Sequence, residues 1–389
     1  MAGSQAFIKE YGEKSFDEFP FCDGDNLAIC SMFYMPFENV VSDSFDERIS
    51  LDEAFEKLFE FRGGEHKAIG LLINPELSKN TQYMTSRPRY SCLKMTGVRS
   101  VYEHDPAVQF AACTLIMPNG DNIIIFRGTD DSITGWKEDL DIYTKKSIPS
   151  HALAVDYINE AAEKLDGKFI ILGHSKGGNV ALYGALKCSE EARARIKELY
   201  NNDGPGFFDH SMFRSDAYSE LLPRYHHIVP DSSFVGMLLA HDDDYKAVKS
   251  NKLIGVMQHD MGTWQLKDGN IVEKSISRAG RITDITVSNI ISNVNDAQRQ
   301  SIDTVVSAVV TGLGQETLLD FSKNAVKAID GAVKAVKGVD KETRNEFKSS
   351  FKGTIKFIFD ASREVTRERI PLAVGRVKTL VKSFAPANA

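Results

Sequence analysis

The sequence of 389 residues lacks the marks of several protein classes. Its cysteines are an odd number at scattered spacings, and no two form a Cys-x-x-Cys pair; they are Cys22, Cys30, Cys92, Cys113 and Cys188. We therefore expect reduced thiols, with neither a disulfide framework nor a cysteine zinc site. No run of about 18 uncharged apolar residues occurs, which argues against a membrane-spanning helix. The first 17 residues mix Lys and Glu and do not resemble a secretory signal, so a cytoplasmic protein is expected.

Positive charge is scarce over most of the chain. There are 47 Lys and Arg residues against 54 Asp and Glu, but residues 321–389 hold 15 basic and 7 acidic residues. The first 320 residues therefore carry a net charge of −15, which argues against nucleic acid as the main partner. The basic segment fits a peripheral contact with an anionic membrane. A solvated helical face explains the same composition.

Short apolar runs alternate with helical periodicity between residues 107 and 229. Residues 110–117 and 122–126 are predicted strands, and Asn119-Gly120 between them is a typical hairpin turn. Further along the chain, the pattern predicts a helix at 152–165, a buried strand at 169–172, a helix from 180 and a strand at 225–229. Strands interleaved with helices predict an α/β sheet with helices on both faces.

The strand signal fades after residue 264, and helices are predicted at 282–319 and 321–384. Two apolar series there recur at helical spacing, namely Val326, Ile329, Val333 and Val336, and Phe347, Phe351, Ile355 and Phe359. We predict two domains, with an α/β domain at 1–270 and a helical, basic region at 271–389. That region is interpreted as a lid, a membrane contact or an oligomerisation surface; the sequence leaves the oligomeric state open.

The strongest chemical signal is the Gly-x-Ser-x-Gly motif of Gly173-His174-Ser175-Lys176-Gly177. The motif alone occurs by chance in roughly one chain in ten of this length. Its context is more specific, because a buried strand leads into it and a helix follows. A sharp strand-to-helix turn of this kind exposes the serine hydroxyl as a nucleophile. It also directs the N–H of Lys176 at a developing oxyanion.

A second oxyanion donor is expected upstream, where the strand ending at Phe126 runs into a polar turn. Thr129 offers a backbone N–H and a hydroxyl there, and Asp139 is a candidate to orient that hydroxyl. A capped strand end without chemistry explains the same loop.

The base and its acid are less specific in the sequence. On this type of sheet, the acid follows the serine and the histidine follows the acid. Asp231 comes directly after the predicted strand at 225–229, and Asp203 and Asp209 are alternatives. Only His241 and His259 follow Asp231. His259 is favoured because it lies in a turn-like stretch, and His241 is the alternative.

Three blocks resemble those of class 3 (fungal-type) lipases. They are Phe-Arg-Gly-Thr at 126–129, Gly-Trp-Lys-Glu-Asp-Leu at 135–140 and Gly-His-Ser-Lys-Gly-Gly at 173–178. More closely, the chain resembles a bacterial family of lipase-3-like α/β-hydrolase proteins of unknown function, with further marks at 15–21, 109–112, 231–239 and 258–264. This resemblance implies an α/β-hydrolase fold with a C-terminal helical extension.

The resemblance also assigns roles to particular residues. It implies Ser175 as nucleophile and Thr129 and Lys176 as oxyanion donors, with Asp139 behind Thr129. An Asp–His pair is placed on Asp231 and His259.

Two departures from the lipase pattern stand out. Lys176 replaces the usual Leu and puts a charge beside the nucleophile. The lipase acid segment is absent in its usual form, since Val229-Pro230 precedes Asp231, and His227 occupies the acid's place if Val-Pro is matched instead.

The leading hypothesis is a serine hydrolase of carboxylic esters, acting on an acyl ester or lipid through an acyl-enzyme, with no metal or organic cofactor. Acyl transfer to an alcohol or amine shares that intermediate. The alternative is a non-catalytic α/β-hydrolase scaffold that binds a membrane or a partner through its C-terminal helices.

Overall fold

The computed structural model describes residues 3–70, 73–233, 235–236, 239, 245–252, 255–275, 295–313, 317, 331 and 334–349. The α-helices are α1 Gly3–Tyr11, α2 Asp23–Met32, α3 Leu51–Phe61, α4 Leu77–Thr85, α5 Pro88–Ser91, α6 Ile133–Thr144, α7 Pro149–Lys164, α8 Lys176–Lys187, α9 Glu190–Ala194, α10 Asp216–Leu221, α11 Gly255–Gln258 and α12 Asp296–Leu313. The strands are β1 Ile49–Ser50, β2 Lys94–His104, β3 Ala107–Ile116, β4 Asn122–Phe126, β5 Phe169–His174, β6 Ile196–Asn202, β7 Tyr225–Pro230, β8 Lys246–Val248, β9 Leu266–Lys267 and β10 Asn270–Ile271.

Strands β1 to β8 form one sheet in consecutive order. Neighbouring strands from β1 to β4 are antiparallel, and those from β4 to β8 are parallel. The predicted hairpin joins β3 to β4, and Gly120 in its turn has a left-handed φ of 84°. The α/β architecture predicted from the sequence is confirmed.

Two hydrophobic cores lie on opposite faces of this sheet. On β4, Ile123 and Ile125 belong to one core, whereas Ile124 and Phe126 belong to the other, as the alternation of a strand requires. Helices α7, α8 and α10 share the second core, because right-handed crossovers that advance in one direction leave their helices on one face. The opposite face is covered by α1 to α4.

A buried arginine secures the N-terminal helices. The Arg89 guanidinium donates to both carboxylate oxygens of Asp25, at 2.7 and 2.6 Å. It also donates to the carbonyls of Lys14, Ser15, Phe19 and Pro20. Because one side chain binds the α1–α2 connection at so many points, it fixes that connection, and with it α2, against the sheet.

Most of the described part of the C-terminal region is helical. Helix α12 lies within the helix predicted at 282–319 and packs against α6. Most of the apolar positions of the two predicted helical series are outside the described residues, and so is His241. The division at residue 270 stays a prediction. Among the helices that the structure describes, none is long and apolar enough to cross a membrane.

Candidate active site

Ser175 lies at the turn between β5 and α8 and has a φ of 58°, which is uncommon for a residue with a side chain. The flanking glycines are required by close backbone contacts. A Cβ atom on Gly173 would lie 2.1 Å from the Gly177 carbonyl oxygen, and one on Gly177 would lie 2.2 Å from that of Phe126. The strand–turn–helix context predicted for the serine is therefore present.

The turn after β4 touches the Ser175 turn directly. A Cβ atom on Gly128 would lie 3.1 Å from the Ser175 Cβ and 2.5 Å from the His174 carbonyl oxygen. Thr129 is the next residue, and its hydroxyl donates to the two Asp139 carboxylate oxygens at 2.6 and 2.7 Å. The contact that the sequence predicts between Thr129 and Asp139 is thus present.

The Lys176 side chain does not place a free charge beside Ser175, as its position in the motif had suggested. Its ammonium is buried and donates to the backbone and side-chain oxygens of Gln109, at 2.6 and 2.8 Å, and to Glu138 at 2.7 Å. The lysine charge is therefore neutralised by Glu138 and is not an uncompensated charge beside Ser175. Lys176 is the first residue of α8, and the N–H groups in the first turn of a helix have no acceptor within that helix.

His259 meets a carboxylate that the sequence ranks second. Its Nδ1 lies 2.7 Å from Oδ2 of Asp203, whose side chain is 1% exposed while that of His259 is 24% exposed. The other Asp203 oxygen accepts the Ser233 hydroxyl and, at 3.0 Å, the Gly236 N–H. Asp203 is thus held rigidly against the imidazole.

The predicted pairing of Asp231 with His259 is replaced by one with Asp203, and strand order explains why. Asp203 directly follows β6, which pairs with β5 so that Asn202 lies opposite His174. Ser175 and Asp203 therefore leave adjacent strands, about 5 Å apart. Asp231 follows β7, one strand further away, and its carboxylate accepts from Lys274 at 2.6 Å.

Asp209, the other alternative acid, caps the short 3-10 helix His210–Arg214. Its carboxylate accepts the Ser211 N–H at 2.8 Å. This contact gives Asp209 a local structural role.

Two residues that the sequence did not single out also contact this site. The His174 ring nitrogens lie 2.7 Å from the Tyr34 hydroxyl and 2.9 Å from the His259 carbonyl oxygen. The His174 and His259 rings are 4.5 Å apart at their centroids. No spacing signal exists for a contact between residues 34 and 174, so only the fold reveals it.

Asp139 has a perturbed carboxyl group. Burial raises its pKa from 3.8 to about 6, and the neighbouring Lys176 ammonium and the Thr129 hydroxyl oppose that rise only in part. Part of the residue stays accessible to solvent, yet the surrounding protein is enough to disfavour the charged form.

The Asp139 pKa predicts a pH dependence of stability. Since the folded state binds this proton more tightly, its stabilisation is present below about pH 4 and is lost as pH rises through about 6. Asp139→Asn keeps an oxygen for Thr129 but removes the titration. We expect urea unfolding to show a larger loss of unfolding free energy between pH 4 and pH 8 in the wild type than in this variant. Parallel pH curves would show that Asp139 does not carry the perturbed group.

One protein family matches this chain. A family model described as Mbeg1-like matches residues 84–307, more than half of the sequence. No curated protein and no solved structure matches. The matched range contains Ser175, Asp203 and His259, whereas Tyr34 precedes it.

Proposed function

The chain belongs to the Mbeg1-like family, and we propose that it is a serine hydrolase of carboxylic esters, of lipase or carboxylesterase type, with an α/β-hydrolase fold. The family is lipase-3-like, which supports a hydrolase in general terms. The observation that carries the proposal is the hydrogen bond between His259 and Asp203, because Asp203 leaves the strand adjacent to that of Ser175.

The proposed reaction begins when Ser175 Oγ attacks the acyl carbonyl carbon. Because Nδ1 of His259 is bonded to Asp203, Nε2 takes the serine proton. The N–H groups of Thr129 and Lys176 donate to the oxyanion. Collapse of the tetrahedral intermediate breaks the ester C–O bond, and His259 returns the proton to the leaving alcohol. Water then attacks the acyl-enzyme by the same route and releases the acid.

The carboxylate behind His259 is suited to this role. Asp203 accepts from Nδ1 of His259 and so holds the imidazole in the tautomer that leaves Nε2 basic. Its second oxygen is occupied by Ser233 and Gly236, so the carboxylate cannot rotate freely. A fixed carboxylate gives the imidazole one orientation.

Two features of the sequence favour a non-catalytic scaffold, namely the uncertain acid and the charge of Lys176. Neither feature now favours the scaffold, because Asp203 supplies a carboxylate to His259 and Glu138 neutralises Lys176. Contact of the basic segment at 321–389 with an anionic membrane is a separate proposal, supported only by its composition.

Covalent labelling of Ser175 tests whether the serine is activated. Folded wild type is expected to react with a fluorescent fluorophosphonate and to carry a single adduct on the peptide that contains Ser175. Ser175→Ala and heat-denatured wild type serve as controls and should stay unlabelled. An adduct of equal yield in Ser175→Ala, or an unlabelled folded wild type both with and without anionic vesicles, would contradict the proposal.

A further inference from the structure

His174 is an imidazole with both ring nitrogens engaged. Nε2 lies 2.9 Å from the main-chain oxygen of His259, and Nδ1 lies 2.7 Å from the Tyr34 hydroxyl. Burial lowers the pKa of His174 well below its usual range, and the neighbouring His259 lowers it further. His174 is therefore neutral and carries one ring proton.

The partners of His174 decide where that proton lies. A carbonyl oxygen only accepts hydrogen bonds, so Nε2 must carry the ring proton and donate it to the hydrogen bond with the His259 carbonyl oxygen. Nδ1 is then an acceptor, and the Tyr34 hydroxyl must donate to it. The Tyr34 hydroxyl thus donates to His174, and His174 donates to the main-chain oxygen of His259.

Tyr34 also contacts the turn that carries Thr129. A Cβ atom on Gly128 would lie only 2.2 Å from the Tyr34 hydroxyl oxygen and 3.1 Å from the Ser175 Cβ. Tyr34 follows α2, in the part of the chain that precedes the range matched by the family model. The segment after α2 therefore places the Tyr34 hydroxyl next to Gly128, in the turn that contacts Ser175.

We propose that Tyr34 and His174 are positioning residues for the base, because they hold the main chain of His259 through two directed hydrogen bonds. This inference rests on the proposed function for its catalytic meaning, although the hydrogen bonds themselves do not. Neither residue touches the reacting atoms in the proposed mechanism.

Two physical consequences follow from this chain of hydrogen bonds. His259 lies in the short link between α11 and the 3-10 helix Met261–Thr263, so the bond from His174 fixes a segment with little structure of its own. The two rings are also 4.5 Å apart, and a second positive charge there would oppose the protonation of His259 during the reaction. His174 avoids this repulsion because burial keeps it neutral, and the bond from Tyr34 engages its Nδ1 as an acceptor.

The test compares Tyr34→Phe with Tyr157→Phe. Each change removes one tyrosine hydroxyl and keeps the ring. The Tyr157 hydroxyl bonds Gly97 and Thr114 at 2.8 and 2.9 Å, and Tyr157 belongs to the core on the other face of the sheet. It controls for the general cost of losing a tyrosine hydroxyl. Two readouts are measured, ester hydrolysis and solvent exchange of the downfield His259 Nδ1 proton by NMR.

In Tyr34→Phe we expect kcat to fall about tenfold with KM unchanged within about twofold. We also expect the His259 Nδ1 proton to exchange about tenfold faster, because the segment opens more often. Tyr157→Phe should leave both readouts at wild-type values.

An unchanged proton exchange rate in Tyr34→Phe would overturn the inference, whether or not kcat changes. If the wild type hydrolyses no ester but its His259 proton responds to Tyr34→Phe alone, the proposed function fails while the positioning of His259 stands.

Discussion

Replacing Asp203 by Asn is expected to lower kcat for ester hydrolysis about 10⁴-fold. One Asp203 oxygen accepts from Ser233 and Gly236, so the amide oxygen of Asn takes that place. The amide NH₂ then faces Nδ1 of His259 and donates to it. The imidazole proton moves to Nε2, which can no longer accept the proton of Ser175.

Asp231→Asn is the matched control for this experiment. Asp231 is also buried, but its carboxylate binds Lys274 at the end of the next strand. The control should keep kcat within about threefold of wild type, because the Asp231 carboxylate binds Lys274 whereas His259 binds Asp203. If kcat fell strongly in Asp231→Asn while Asp203→Asn stayed active, Asp231 and not Asp203 would be the acid that supports His259.

Replacing Lys176 by Met is expected to lower the free energy of unfolding by about 3–5 kcal/mol. The loss arises because Glu138 would keep a buried charge without its partner. Glu138 also accepts from Ser150 and Gln109, which cannot neutralise it. Urea unfolding monitored by circular dichroism measures the change.

The double variant Lys176→Met/Glu138→Gln separates charge from packing. Gln still accepts from Ser150 and carries no charge, so most of the lost stability should return. If the double variant is as unstable as Lys176→Met, the lysine contributes packing and its hydrogen bonds to Gln109, and the charge pair is not the cause.

The Ser175 turn could be predicted because its signal is local. The apolar strand β5, the glycines and the helix that follows are contiguous in sequence, and each is explained by contacts within that segment. Strand β7 could be predicted for the same reason, and Asp231 was favoured as the acid because it follows that strand.

The sequence ranks Asp203 below Asp231 because β6 does not have the pattern of a buried strand. It ends in Asn201 and Asn202, and polar residues at the centre of a sheet need partners from elsewhere in the fold. Asn202 exchanges two hydrogen bonds of 2.8 Å with Asn26, and Asn201 donates to Tyr225. These partners are distant in sequence, so the strand that positions Asp203 becomes evident only in three dimensions.

The same limit applies to the charge of Lys176 and to the role of His174. Glu138 precedes Lys176 by 38 residues, and Tyr34 precedes His174 by 140. A motif marks the candidate site residues, but the side chains that neutralise or orient them come from other elements. Their identity therefore depends on the packing of α6 and the N-terminal helices.

Ser175 is proposed as the nucleophile of an ester hydrolase. The most direct measurement is the initial rate of purified wild type and Ser175→Ala on 4-nitrophenyl esters with acyl chains from C2 to C16, with circular dichroism to show that both are folded. We expect turnover by the wild type, a chain-length optimum that defines the acyl group, and loss of turnover in Ser175→Ala. Equal rates in the two proteins would contradict it.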